Sequence, residues 1–355
     1  MRTCVTISEC GIIVHSSGKK ISLDPNRMVN CDVTFLSHAH SDHLYRRRNA
    51  NNNNYSKAVT LTSKATSLIA SARGYKINES VEEHDGIQLI DNGHILGSKG
   101  LLIQDDLYYT ADISIRQRAF MNHAPLPQVD TLIIESTFGR PQYVFPNLTE
   151  ITHNANKIIS EMYDKGVPVI LMGYPLGKAQ LLTELFRHWD PLYVHDSVEK
   201  INSVYKKLGI PLKDAITYSV AENQGLLSKN KPWIMIAPLA TNRSNFIKQM
   251  KERYGVKTVG FSGWAVDNRY KFLTNLDYTF PLSDHSDYNE LVKIVNACNP
   301  RKIYTCHGFM MEFARSLRKL GFDAEPISNC KISKKENHDK THVSASSLDF
   351  YIKTS

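Results

Sequence analysis

Residues 36–43 read Leu-Ser-His-Ala-His-Ser-Asp-His, and no other stretch narrows the outcome so sharply. The run Val33-Thr34-Phe35-Leu36 before it has the length and apolarity of a short buried strand, so the polar residues begin where that strand ends. His38 and His40 are two apart and point the same way on an extended segment. Asp42 and His43 fall where the chain turns and can aim at a second point close by. Imidazoles with a carboxylate suit zinc, and two adjacent ligand sets suit a pair of ions about 3.5–4 Å apart that share a bridging hydroxide. The alternative is a polar strand-to-loop turn with scattered histidines, for which this stretch is too dense.

Composition narrows the setting. A chain of 355 residues holds one large domain or two of ordinary size, and 42% hydrophobic with 22% charged residues describes a globular protein with a sizeable core. No apolar run approaches the roughly 20 residues of a membrane span. Met1-Arg2-Thr3-Cys4 lacks the apolar start of a secretory signal. Six cysteines without a pairing pattern read as free thiols in a reducing compartment. The expectation is a cytoplasmic protein with no membrane partner. The net charge of +8 favours a polyanionic partner, although a mildly basic balance also serves solubility.

Along the chain, Asp24 closes the β-type run Lys20-Ile21-Ser22-Leu23 just before Pro25. Its carboxylate either holds a ligand imidazole in orientation or forms an Asp-Pro turn. After His43 come Arg46, Arg47 and Arg48 and a tract of asparagines. These arginines either meet a phosphate backbone beside the ions or form a solvated charge run. Residues 63–74 read as a helix capped by Ser63 and stopped at Gly74. From 81 to 134 the β pattern returns with two more ligand candidates. His94 sits in Gly93-His94-Ile95-Leu96-Gly97, whose glycines allow close backbone approach, and Asp112 follows the strand Leu107-Tyr108-Tyr109-Thr110. A dinuclear site still needs one histidine and one aspartate: His94 to complete the first ion and Asp112 to bridge both. From 145 to 280, helical stretches (148–165, 177–188, 197–208, 243–254) alternate with apolar strands such as Val167–Met172, Trp233–Ile236 and Val256–Gly260. That alternation argues a parallel sheet flanked by helices.

These residues make the chain resemble the metallo-β-lactamase fold, an α/β protein with an αββα sandwich carrying metals at one edge. The run Val129–Ile134 leading into Glu135-Ser136-Thr137-Phe138-Gly139 is similar to the β-CASP nuclease branch, and the resemblance implies that Glu135 orients catalytic groups. It further implies a metallo-β-lactamase domain in two segments (1–144 and 281–328), an inserted α/β β-CASP domain (145–280) closing a cleft over the metals, and a polar tail (329–355). Gly173-Tyr174-Pro175-Leu176-Gly177-Lys178-Ala179-Gln180 resembles the branch's GKAQ helix start. Gly177 and Lys178 there read as a phosphate cradle, with a glycine turn and ordinary capping as the alternative. Pro281–Tyr288 resembles the second motif, with its histidine at His285, and Lys302–Gly308 resembles the third, with His307 completing the second ion. The implied ligand sets are His38, His40, His94 and Asp112 for one zinc, and Asp42, His43, Asp112 and His307 for the other, with manganese or magnesium as substitutes. Asp42, Glu135 and His285 would then be the catalytic groups, His285 protonating the leaving 3′-oxygen or holding a non-bridging oxygen.

Within the branch, the chain to about residue 327 resembles most nearly the short ligase-associated DNA exonucleases, also known as mRNA 3′-end processing factor-like proteins. Arg140-Pro141 after the first motif, the GKAQ start, Phe261-Ser262-Gly263-Trp264 and Pro281–Tyr288 carry that likeness. The implied activity is phosphodiester hydrolysis in single-stranded DNA during repair, with a DNA ligase or sliding clamp as partner. RNA 3′-end processing is the alternative, because His307 stands where Artemis-type DNA nucleases carry valine and where RNA-processing members such as ribonuclease J carry histidine. A small-molecule hydrolase would share the first motif but would need neither the inserted domain nor His285. An inactive scaffold would have lost ligands. The tail segment Ser347–Ile352 reads either as a docking peptide, a degenerate clamp motif with Ala345 in the glutamine position, or as a closing strand.

Overall fold

Short β-branched runs and amphipathic helices alternate through the chain, and a computed structural model describes residues 4–8, 11–45, 58–77 and 79–327. Arg46, Arg47, Arg48 and the tail 329–355 lie outside the described residues. The first six strands form one sheet in sequence order: β1 (Cys4–Ser8), β2 (Gly11–Ser16), β3 (Lys19–Leu23), β4 (Val33–Phe35), β5 (Val59–Leu61) and β6 (Ser80–Val81). β1 to β3 pair antiparallel and β3 to β6 parallel. Helix α1 (Lys64–Ala72) follows β5. Four strands then begin a second sheet: β7 (Ile87–Asp91), β8 (Lys99–Ile103), β9 (Leu107–Tyr109) and β10 (Thr131–Glu135).

The chain next builds α2 (Leu148–Asp164), β11 (Val169–Gly173), α3 (Lys178–Leu185), β12 (Leu192–Val194), α4 (Asp196–Lys207), β13 (Ile216–Thr217) and α5 (Tyr218–Asn223). β14 (Ile234–Pro238), α6 (Asn245–Tyr254), β15 (Lys257–Phe261), α7 (Asn268–Thr274) and β16 (Tyr278–Phe280) complete this part. Its six strands form an all-parallel sheet in the order β13-β12-β14-β11-β15-β16. Parallel strands need crossover helices, and these cover both faces. Val169, Leu171, Ile234 and Ile236 pack with α2, α3 and α4, while Ile170, Met172 and Met235 pack with α6. The chain then forms α8 (Tyr288–Cys298), β17 (Lys302–Cys306), α9 (Met310–Lys319) and β18 (Ala324–Pro326). β17 and β18 extend the second sheet, whose order is β18-β17-β10-β9-β8-β7.

Contacts group the described residues into two units. One comprises residues up to Gln117, Met121–Tyr143 and those from His285 on; the other comprises Arg118–Phe120 and Val144–Asp284. In the first unit the period of two along each strand makes the layers. Leu101, Ile103, Tyr109, Ile133 and Cys306 meet Val14, Ile21, Val33, Phe35 and Leu61 of the other sheet, while Leu102, Tyr108, Leu132, Ile134 and Ile303 face α8 and α9. This is the metallo-β-lactamase sandwich, and the parallel-sheet unit is its α/β insertion. No helix of the described residues is long and apolar enough to cross a membrane.

Ser63 ties α1 to the loop that carries His94. Its Oγ accepts the Thr66 N–H at 3.0 Å and donates to the Gly97 carbonyl at 2.6 Å. Ser63→Ala should lower unfolding free energy by about 1 kcal/mol, the usual cost of an N-cap, measured by chemical denaturation.

Candidate metal centre

The ligand candidates follow strand ends, where His38, His43, His94 and Asp112 leave the core yet stay buried. His38 follows β4, His94 follows β7, Asp112 follows β9, and His307 follows β17. Four donor atoms, from His38, His40, His94 and Asp112, lie within 4.8 Å of one another. His38 Nε2 is 3.0 Å from His40 Nδ1 and 3.4 Å from Asp112 Oδ2, and His94 Nε2 is 3.2 Å and 3.6 Å from the same two atoms. A tetrahedral zinc bound at about 2.0–2.1 Å sets adjacent donors roughly 3.3–3.4 Å apart. The donor set therefore fits a zinc ion in both chemistry and spacing.

Asp112 also reaches the second candidate set. Its Oδ2 is 3.4 Å from His43 Nε2, and Asp42 Oδ2 is 3.8 Å from the same nitrogen. The His307 ring lies 5.2 Å from the His43 ring, centre to centre, and is exposed. This set is looser, and half of it faces water. His307 takes a left-handed backbone, φ 57°, held where Ser136 Oγ contacts its carbonyl at 2.5 Å. The loop that carries His94 needs the glycines on either side of it: a Cβ on Gly93 would stand 2.2 Å from the Ser114 carbonyl oxygen, and one on Gly97 2.6 Å from Ala65 Cβ.

Asp24 closes the arrangement from behind. Its Oδ2 lies 2.9 Å from His43 Nδ1 and accepts the Ser37 hydroxyl at 2.7 Å and the Tyr109 hydroxyl at 2.9 Å, while Oδ1 accepts the Ser37 amide at 2.7 Å. Asp24 adopts φ 40°, a strained choice for a non-glycine residue. Sequence reasoning left Ser37 and Tyr109 unassigned. Ser37, adjoining His38 inside the motif, was readable as a helper; Tyr109 had no signal, because only the fold brings it there.

Glu135 and His285 form the other half of the centre. The buried Glu135 carboxylate accepts the Ile113 amide at 2.7 Å and the Thr137 amide at 3.3 Å, and contacts His285 Nδ1 at 2.9 and 3.0 Å. Glu135, His285 and Asp112 also lie close enough to form a donor group. With its oxygens already filled by two amides and an imidazole, Glu135 suits orienting His285 better than ligation. The His285 and His94 rings are 4.6 Å apart.

Electrostatics follow from the crowding. Burial works against charge on Asp112, but the cationic His43, and after it His285, hold its carboxyl well below the usual carboxylate range. Burial alone would lower His43, yet Asp112, Asp24 and Asp42 hold its imidazole well above the ordinary value. Burial, followed by repulsion from His43, pushes His38 well down. A buried carboxylate ringed by imidazoles is a donor set that binds either protons or a divalent cation, and a cation would displace the proton from His43.

The start of α3 differs from the open cradle the sequence suggested for Gly177 and Lys178. The Gly177 amide donates to Gln180 Oε1 at 2.7 Å, and Lys178 is buried with Nζ 2.9 Å from Asp284. The physical reason is that Gln180 caps its own helix from inside, while the apolar lysine stem packs inward. Burial brings the Lys178 pKa down to about 8, with Asp284 opposing the shift. A lysine lowered on folding destabilises the fold fully below that value, and the penalty is relieved as pH climbs toward the unfolded value near 10.4. The stability of the wild type minus that of Lys178→Met should therefore rise by up to about 1.4 kcal/mol per pH unit between pH 8 and 10, read from urea midpoints.

The chain is similar to several known proteins. Residues 278–325 match the family described as "Zn-dependent metallo-hydrolase RNA specificity domain". A protein named "Probable DNA ligase" from Opitutus terrae is 32% identical over 300 residues, covering 83% of this chain and 28% of that protein. An "RNase J-like protein" from Methanocaldococcus jannaschii is 22% identical, covering 66% of each. "5' exonuclease Apollo" from mouse is 24% identical, covering 64% of this chain and 39% of that protein. The chain thus spans little more than a quarter of the ligase-named relative and at most about two thirds of the others. A crystal structure of a protein of unknown function from Enterococcus faecalis V583 shares the fold, with a TM-score of 0.59 at 13% identity, covering 87% of this chain and 95% of that one.

Proposed function

We propose that this chain, which belongs to the metallo-β-lactamase-fold β-CASP nuclease group, is a metal-dependent phosphodiesterase that hydrolyses single-stranded nucleic acid. One observation carries the reading: three imidazoles converge on Asp112, and the His285–Glu135 pair lies against the same cluster. In this reading residues 1–144 and 281–328 form the metallo-β-lactamase domain and 145–280 the β-CASP domain. His38, His40, His94 and Asp112 hold one zinc ion, and Asp42, His43, Asp112 and His307 the other, with manganese or magnesium as substitutes. Such cations make hydroxide available at neutral pH and offset charge that develops on the phosphoryl group.

The chain's own groups supply the rest. Asp24 fixes His43 through Nδ1, leaving Nε2 turned toward Asp112. Glu135 likewise holds His285 at Nδ1, so that its Nε2 is the atom that gives a proton to the leaving 3′-oxygen or binds a non-bridging oxygen. Asp42, half-exposed, completes the side open to substrate.

DNA is the favoured substrate, with an exonuclease acting in repair beside a DNA ligase or a sliding clamp. Support comes from the relatives named as ligases, in "Probable DNA ligase" and in "DNA ligase 6" from Arabidopsis thaliana, where this chain matches 28% and 22% of the length. RNA processing is the second reading. It draws on His307, on the RNA specificity in the family description, and on the relative named RNase J-like. The setting we infer is the cytoplasm, which suits the unpaired thiols of Cys4, Cys31, Cys298 and Cys306.

Zinc-loaded protein should shorten end-labelled single-stranded DNA faster than RNA of the same sequence; the reverse order would select the RNA reading. His285→Ala should keep its metal and lose at least about 100-fold in turnover. Asp112→Ala should lose both metal and activity, followed by elemental analysis beside the cleavage assay. Full metal and normal cleavage in both variants would remove the assignment.

A further inference from the structure

The lysine at the start of α3 points away from solvent, and it meets the residue that precedes His285. Lys178 Nζ is 2.9 Å from Asp284 Oδ1, and Arg118 Nη1 is 2.6 Å from the same oxygen. All three side chains are buried, at 3%, 5% and 7% exposure for Lys178, Arg118 and Asp284. Two cations buried on one carboxylate are poor stabilisers, because desolvation consumes most of what pairing returns. Their arrangement points to another use.

Arg118 also grips the backbone. Its Nη2 donates to the Asp284 carbonyl at 3.2 Å and its Nη1 to the Ser283 carbonyl at 3.4 Å. The Asp284 carbonyl belongs to the peptide plane that joins Asp284 to His285, so fixing it restricts where the imidazole can point. The other side of His285 is held as well. The Ser286 amide donates to the Ile113 carbonyl at 2.7 Å, the Ile115 amide to Ser286 Oγ at 3.3 Å, and Arg116 Nη2 pairs with Asp287 at 2.6 Å. The Ile113 amide donates to Glu135, the partner of His285. One segment, 112–118, therefore carries a metal-ligand candidate, supports Glu135 and clasps both flanks of His285. Space for the lysine is built in, since a Cβ on Gly173 would stand 2.4 Å from Lys178 Cγ.

We propose that Arg118 and Lys178, converging on Asp284, are positioning residues that set the aim of His285. The idea rests on the proposed nuclease activity for its kinetic arm but not for its structural one.

The test is a double-variant cycle on the full chain loaded with zinc. Lys178→Met, which leaves the Arg118–Asp284 contact in place, and Asp284→Asn are each made alone and with His285→Ala. Each should lower kcat on single-stranded DNA about 10- to 100-fold, with KM and zinc content unchanged, and Lys178→Arg should restore most of the rate. In the His285→Ala background the same changes should cost less than about twofold, because the group they act through is gone. Equal losses in both backgrounds, or unchanged kcat, would overturn the proposal. Should Asp284→Asn not fold, Lys178→Met carries the cycle. A second readout needs no turnover: the Nδ1 proton of His285, bonded to Glu135, should give a downfield NMR resonance that broadens or vanishes in Lys178→Met. A sharp, unshifted resonance counts against the proposal even if the wild type cleaves nothing, whereas absent cleavage with a lost resonance would fault only the nuclease reading.

Discussion

Asp112 places one carboxylate oxygen within 3.4–3.6 Å of three imidazole nitrogens, from His38, His43 and His94. In water this would be unremarkable crowding. Inside the protein, with Asp112 buried and His38 fully so, charge must be balanced locally or the arrangement is costly. Everything around it works to that end. Asp24 opposes His43 from behind, Glu135 opposes His285 at the side, and the remaining lone pairs converge on a space that suits a divalent cation.

The two-sheet sandwich is what makes the convergence affordable in entropy. The ligand candidates come from four separate loops, after β4, β7, β9 and β17, and the strands are fixed by cores that include Val33, Phe35, Tyr109 and Cys306. Rotamers are then limited by hydrogen bonds rather than by packing alone. Asp24 accepts four such contacts, two from Ser37, one from Tyr109 and one with His43. A side chain held that way resists the small displacements that degrade a reactive centre.

Much of this was readable in the sequence, and the exceptions are instructive. The run from Ser37 to His43 announces itself because ligand spacing is local. The strands and helices of the insertion follow from alternating apolar runs, and α2 spans 148–164 where periodicity suggests 148–165. α8 went unread, although Asp287 and Glu290 form a capping box whose residue types are visible three apart. Lys178 was misread for a deeper reason. Whether a lysine at a helix start faces solvent or the interior depends on a carboxylate 106 positions later in the chain, and nothing local encodes that meeting. Tyr109 and Arg118 are hidden in the same way, their partners being set by topology.

The thiol beside His307 has a consequence of its own. Cys306 ends β17 one residue before His307, where burial, and then Glu135, Asp112 and Asp24, push its thiol well above the usual range, and Sγ contacts the Ile134 carbonyl at 3.4 Å. A protonated, enclosed sulfur is a poor nucleophile and a poor soft ligand. It is a weak competitor to nitrogen and oxygen donors for a metal ion, and its burial screens it from peroxide and from disulfide exchange. The centre is thereby insulated from swings in redox state.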